Sequence, residues 1–308
     1  MKQASEIPGR LNCVLGTFVF GGGLLLLWGG SRVELVWSIP LGIVFSFLML
    51  TNYALMHEAA HNVFHHRSIV NHLYGVVLGW LFPMSFTVFK VSHVVHHCYN
   101  RSDHEMFDYY YENDWKIIKY IQWYGLLTGL WWILIPIGNV LLAIHPAILK
   151  TRPFRNARST SRVFDNYDCE LTRRLRLEIL SGILFWTGAS MLLALRWETV
   201  LIYYGFFAFN WSTRQYVTHA FTVRDVTNGA LNLSVSKPMQ WILLQGQWDL
   251  VHHQHPHVSW IRLPDLSQHS EPPRSYLKQY LSLWAGPRLC KEPAPEILPQ
   301  SDYQLMQG

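Results

Sequence analysis

The hydrophobic positions of this chain are gathered into long uncharged runs, with neither the alternation of a half-buried strand nor the one-sided stripe of a water-facing helix. Residues 11 to 31 and 35 to 56 contain no Asp, Glu, Lys or Arg. Each run is long enough to cross about 30 Å of hydrocarbon as a helix rising about 1.5 Å per residue. They predict a transmembrane hairpin turning at Ser31-Arg32-Val33-Glu34. The first run follows Lys2 and Arg10, shows no small-residue cleavage site and leads straight into a second span, so it reads as a span with a cytosolic N-terminus. Four more uncharged runs lie at 73 to 89, 120 to 144, 179 to 195 and 199 to 213, the last two separated by Arg196-Trp197-Glu198.

Composition agrees with this pattern. The 308 residues are 50% hydrophobic and 15% charged, against about 25% charged in an ordinary soluble domain. The reading is one all-α integral membrane domain over 11–260, between a cytosolic N-terminus over 1–10 and a cytosolic C-terminal tail over 261–308. The Pro-rich end from Pro287 to Pro299 is expected to be flexible. A net charge of +5 comes from basic residues scattered over loops and tails rather than from one stripe, which favours anionic lipid headgroups over nucleic acid as the partner. Cys13, Cys98, Cys169 and Cys290 lack CxxC spacing, so no disulfide framework or zinc ribbon is expected.

Topology follows by parity. The segment 150 to 176 holds Lys150, Arg152, Arg155, Arg158, Arg162, Arg173, Arg174 and Arg176, and the positive-inside rule assigns it to the cytosol. Run 120 to 144 must then enter and return on one side, with Pro136 and Gly138 offering the break. Run 73 to 89, with Pro83 inside it, reads as interfacial. The pair from 179 to 213 forms a second hairpin. Trp28, Trp37, Tyr53, Trp115, Tyr120, Trp123, Tyr124 and Trp197 fall near span ends, as interfacial anchors do.

Sixteen histidines change the picture from membrane protein to membrane metalloprotein. His57-Glu58-Ala59-Ala60-His61 closes the second span, with two imidazoles one helical turn apart. His93, His96 and His97 stand at i, i+3 and i+4, and Asp249, His252 and His253 repeat that spacing. Parity puts all three clusters on one membrane face as a histidine-rich di-metal cap. Seven or eight nitrogen donors exceed the four that a tetrahedral zinc takes and suit two adjacent ions. Imidazole-rich sites with open positions favour iron among the oxygen-activating metals. Taken alone, HExxH also matches a zinc protease with Glu58 as general base, and a metal carrier stays open as a third class.

The order HxxxH, HxxHH and xxxHH resembles the membrane fatty acid desaturase and hydroxylase superfamily of non-haem di-iron enzymes. The resemblance covers about residues 35 to 260, including the spacing of Asn71, Gly75, Pro83 and His93. It implies that His57, His61, His93, His96, His97, His252 and His253 bind two Fe. It adds His219, which stands near the end of the last span, with the polar Gln215 one turn earlier. The family's third box usually begins with His or Gln, whereas this one begins with Asp249, which can ligate iron or hydrogen-bond a ligand imidazole. His65, His104 and His255 are expected either as further ligands or as partners of the ligands. Glu58, Asp103 and Asp249 are candidates to orient imidazole N–H groups.

The resemblance implies O2 as co-substrate and a lipid or fatty acyl substrate, with desaturation the expected outcome. Hydroxylation of a fatty acid or alkane, or oxidative decarboxylation to a terminal alkene, would use the same centre. No CxxC iron–sulfur or His-Pro-Gly-Gly haem motif is present, so electrons are expected from a separate ferredoxin-, rubredoxin- or cytochrome b5-like donor. Arg67, Lys90, Arg101, Arg152 and Arg155 are basic residues that could steer it.

Overall fold

The computed structural model describes residues 7–152 and 168–298. Helix α1 (Gly9–Gly30) and helix α2 (Leu35–Ala60) form the expected hairpin, with the turn at residues 31 to 34. Helices α3 (Ser68–Leu81) and α4 (Phe86–Tyr99) occupy the next run, bent by 101°. The run read as a single interfacial element is therefore two helices broken at Phe82 to Ser85. Pro83 ends the first, and the Ser85 hydroxyl caps the second by accepting from Val88 N at 3.3 Å. The bend lets the Phe86 ring pack where a Cβ on Gly75 would stand, so Gly75 admits no side chain.

Helix α5 (Lys116–Leu127) and the arm Leu130–Ile144, whose α-helical part is α6 (Leu134–Ile144), are bent by 74°. The break lies at Gly129 rather than at the expected Pro136 and Gly138. Gly129 has φ +78 and meets the Ala208 backbone where its Cβ would be, so only glycine fits. Pro136 falls in the first turn of α6, where a missing N–H breaks no helical hydrogen bond.

Helix α7 (Cys169–Leu192) starts at the Asp168 cap, and helix α8 (Trp197–Gln215) returns along α2. Arg155, Arg158 and Arg162 of the basic segment lie outside the described residues. Arg196 donates to the carbonyls of Gly30 and Val33, and Arg32 to that of Leu193, so the 31–34 and 193–196 turns are tied together at one end of the bundle. Carbonyls at helix C-termini lack helical donors, and the two guanidiniums supply them. Among the described residues, helices α1, α2 and α7 are long and apolar enough to cross a membrane, and the count rises to five if each bent pair is one span. Helix α8 falls below that mark. Its polar Asn210 donates to Ser46 on α2, and its Tyr203 hydroxyl donates to the Leu26 carbonyl on α1.

Short helices α9 (Lys237–Ile242), α10 (Asp249–Gln254), α11 (Leu263–Leu266) and α12 (Tyr276–Leu283) build the cap. Two minimal parallel pairs stitch it, Tyr109–Tyr110 with Arg288–Leu289 and Leu233–Ser234 with Arg274–Ser275. At its centre Arg101, fully buried at φ +60, donates to Asp108 at 2.7 Å, the Tyr216 hydroxyl at 3.0 Å and the Thr222 carbonyl at 3.2 Å. Arg101 is thus a cap residue and not available to steer a donor. The segment after Pro287, expected to be flexible, is strapped down as far as Leu298. Arg288, Cys290 and Leu298 donate their N–H groups to the carbonyls of Asp108, Tyr110 and Cys98.

Candidate metal centre

Helix α2 ends by delivering His57 and His61 one turn apart, and α4 delivers His96 and His97 from its last turn and His93 from the turn before. Helix α10 contributes His252 and His253, and the turn after α8 contributes His219. These eight imidazoles sort into two groups. His57, His61, His93, His97 and His252 form one, and His96, His219 and His253 the other, with ligand atoms inside each group within 4.8 Å of one another. The i, i+4 pair of α4, His93 and His97, serves the first group, while His96 points to the second.

The contacts inside each group fit a cation. His61 Nε2 stands 2.7 Å from His93 Nε2, and His97 Nε2 stands 3.1 Å from both His93 Nε2 and His252 Nε2. Several ring nitrogens converging on one point cannot satisfy each other with the protons that neutral imidazoles carry. His219 Nδ1 faces the Gly229 carbonyl at 3.2 Å, which accepts only, so this nitrogen carries the proton and Nε2 presents a lone pair. That Nε2 lies 3.0 Å from Asp249 Oδ2. Two acceptors at that distance call for a positive charge beside them. Asp249 Oδ2 and His253 Nδ1 are buried with no hydrogen-bond partner. The donor set of imidazoles and one carboxylate is one that iron accepts.

Protonation states agree with ligation. Burial pushes the His252 imidazole down to about 4, against the pull of Asp249. Neutral imidazole and ionised carboxylate are the forms that bind metal.

The other residues singled out in the sequence take different places. Gln215 lines the cavity beside the centre. The buried Glu58 carboxylate accepts from the Ser259 hydroxyl at 2.7 Å and from Trp260 N at 3.2 Å, fastening the segment after α10 to the end of α2. Asp103 accepts from Arg224 and the Tyr111 hydroxyl, both at 2.7 Å. His65 stacks on His66 at 4.2 Å between ring centroids, His104 packs edge-on to Tyr99 at 5.5 Å, and His255 is exposed beside His257. None of these three belongs to either imidazole group. Glu105, which no sequence motif singles out, lies 3.5 Å from His96 Nδ1. Its nine-residue separation from His96 carries no helical signal, because the chain must first turn at Arg101 to bring it back.

Both groups open onto one cavity of about 420 Å³, within the range of small-molecule sites. Its apolar wall includes Leu50, Phe82, Trp131, Trp132, Ile135 and Trp211. No curated protein matches the chain. The family model described as fatty acid desaturase matches residues 33–286, which takes in all eight imidazoles and the apolar cavity between them. This integral membrane protein, with its histidine-rich cap on an all-helical frame, belongs to the fatty acid desaturase family.

Proposed function

We propose that the protein is an O2-dependent oxidoreductase acting on an acyl chain at a pair of non-haem irons, with desaturation as its reaction. The observation that carries this reading is the opening of two imidazole groups, five and three, onto one apolar cavity. In this reading His57, His61, His93, His97 and His252 hold one iron, and His96, His219 and His253 hold the other with Asp249 beside them. When bound, the irons supply dioxygen activation and hydrogen abstraction from an unactivated C–H bond, which no side chain can perform as acid or base.

The chain's own part is placement. The Gly229 carbonyl holds the proton on His219 Nδ1, and Glu105 does the same for His96 Nδ1, so that each Nε2 faces inward. Glu58 sets the segment after α10 through Ser259 and Trp260. Leu50, Phe82, Trp132 and Trp211 hold the acyl chain in one register and exclude water. Electrons come from a separate ferredoxin-, rubredoxin- or cytochrome b5-like donor at the cytosolic face, a sidedness that rests on the positive-inside rule applied to residues 150 to 176. The eight-imidazole domain spans 11–260, with 1–10 and 261–308 on the cytosolic side.

A second reading, hydroxylation, is favoured by Asp249, the carboxylate that opens the third box where the family usually has His or Gln. Loss of a second hydrogen gives an alkene, whereas oxygen delivered to the carbon gives an alcohol. Metal content of the purified protein, with lipid product analysis of expressing cells beside His96→Ala, tests both. Two irons and an alkene absent from the variant support desaturation, with a chain one carbon shorter marking decarboxylation. A hydroxylated product selects the second reading, and one zinc with no oxygen-dependent product contradicts both.

A further inference from the structure

The cavity wall carries four side chains of formal charge, Glu58, Glu105, Asp249 and Arg214. Of the three carboxylates, Glu58 is engaged by Ser259 and Trp260, while Glu105 and Asp249 face imidazoles of the metal centre, His96 and His219. Arg214 is different. Its Nε donates to the Asn210 side-chain oxygen at 2.7 Å and its Nη1 to the Tyr276 hydroxyl at 3.0 Å, and the guanidinium lies over the rings of Phe47 and Tyr276 at 5.7 and 5.5 Å. All of these partners are neutral.

Other inward-turned arginines of the described residues are compensated in one of two ways. Arg101 and Arg224 each meet a carboxylate, Asp108 and Asp103. Arg32, Arg176 and Arg196 each meet carbonyls near a helix C-terminus, where partial negative charge accumulates. Arg214, half-buried in the last turn of α8, has only the diffuse negative end of that helix, with no carboxylate or carbonyl bonded to its guanidinium among the described residues. A guanidinium half-buried on an apolar cavity wall gains from an anion that completes its donor set. A guanidinium has five N–H donors in a planar fork that matches a carboxylate bidentately. Two of Arg214's are spent on Asn210 and Tyr276, and the rest have no protein partner among the described residues.

We propose that Arg214, held by Asn210 and Tyr276 at the edge of the cavity, seats the anionic head of the acyl substrate, so that the protein takes a free fatty acid carboxylate in preference to a neutral ester. This rests on the acyl-oxidation reading and adds the class of headgroup. Arg214 is a specificity-determining residue here, and Tyr276 a positioning residue that holds the fork from the N-terminus of α12. A phosphate has the same complementarity, and a phospholipid headgroup is the other source of it.

The test is equilibrium binding to the iron-loaded, detergent-purified protein, read by quenching of the cavity tryptophans with no turnover required. The probes are hexadecanoate, methyl hexadecanoate and hexadecyl phosphate. The wild type is expected to bind hexadecanoate about tenfold or more tightly than the methyl ester, the loss that follows when a charge-assisted pair is missing. Arg214→Gln is expected to bind acid and ester alike with iron content unchanged, and Arg214→Lys to keep part of the preference. Equal affinity of the wild type for acid and ester overturns the proposal without recourse to any variant. So does an acid preference that survives in Arg214→Gln. Tighter binding of hexadecyl phosphate than of hexadecanoate, lost in Arg214→Gln, would assign the guanidinium to a phospholipid headgroup and overturn the carboxylate seat. Because binding is read without chemistry, absence of an oxidised product would count against the reaction assigned above while leaving this result standing.

Discussion

The two imidazole groups differ in charge more than in position. The five-histidine group draws its members from α2, α4 and α10, and the close contacts of His93 with His61 and His97, and of His97 with His252, are nitrogen to nitrogen. The three-histidine group takes one member each from α4, α10 and the turn after α8, and two carboxylates reach it, Asp249 at 3.0 Å from His219 and Glu105 at 3.5 Å from His96. A divalent ion in the second would be more fully neutralised than one in the first, which feels Asp249 only at longer range. Such asymmetry tunes the basicity of the ligands and the electron demand of each ion. The groups also differ in what supports them. Four of the first group's five members come from the ends of α2 and α4, whereas two of the second's three come from the cap, whose centre is the Arg101 network.

The largest effect is expected at the nitrogen-only group. His97 Nε2 touches both His93 and His252, so His97→Ala should abolish product formation and remove one iron per chain while leaving the other group loaded. Metal analysis of the purified variant decides this, and retention of both irons would break the division into two groups. Next is the support of the second group. Arg101→Ala leaves Asp108 buried without its cation, a loss of roughly 3–5 kcal/mol. Thermal unfolding should show that loss, with iron of the three-histidine group released first on heating. Third, Asp249→Asn keeps the shape and removes the charge. Iron affinity at the second group is expected to fall roughly 10–100-fold with the first unaffected, as a chelator titration would report. Smallest is Glu105→Gln, because 3.5 Å is a loose contact on a partly exposed pair. A change of less than about tenfold in that same titration is expected, and a larger one would place Glu105 among the ligands.

What could be read in the sequence follows the same divide. The α1–α2 hairpin, its turn and the i, i+3, i+4 spacings of the boxes are local patterns, and local patterns survive into the fold unchanged. His219 is marked in the sequence by family spacing rather than by helical geometry, and it joins His96 and His253. Long-range pairings left no mark. Glu58 looks like a general base in HExxH, yet its carboxylate is taken up by Ser259 and Trp260, some two hundred residues later in the chain. The break of the fourth run falls at Gly129 because α8 packs against it there, so the Pro136–Gly138 pair misled by being the stronger local breaker. Pro287 to Leu298 has the composition of a loose tail but is held through backbone hydrogen bonds, for which side-chain composition is a poor guide.

Iron stoichiometry of three purified proteins, the wild type, His97→Ala and His219→Ala, tests the central claim most directly. Two irons in the wild type and one in each variant, with the remaining iron in a different ligand environment in the two variants by Mössbauer spectroscopy, is the predicted result. A single metal in the wild type, or loss of all metal in both variants alike, would mean that the eight imidazoles form one site and would contradict it.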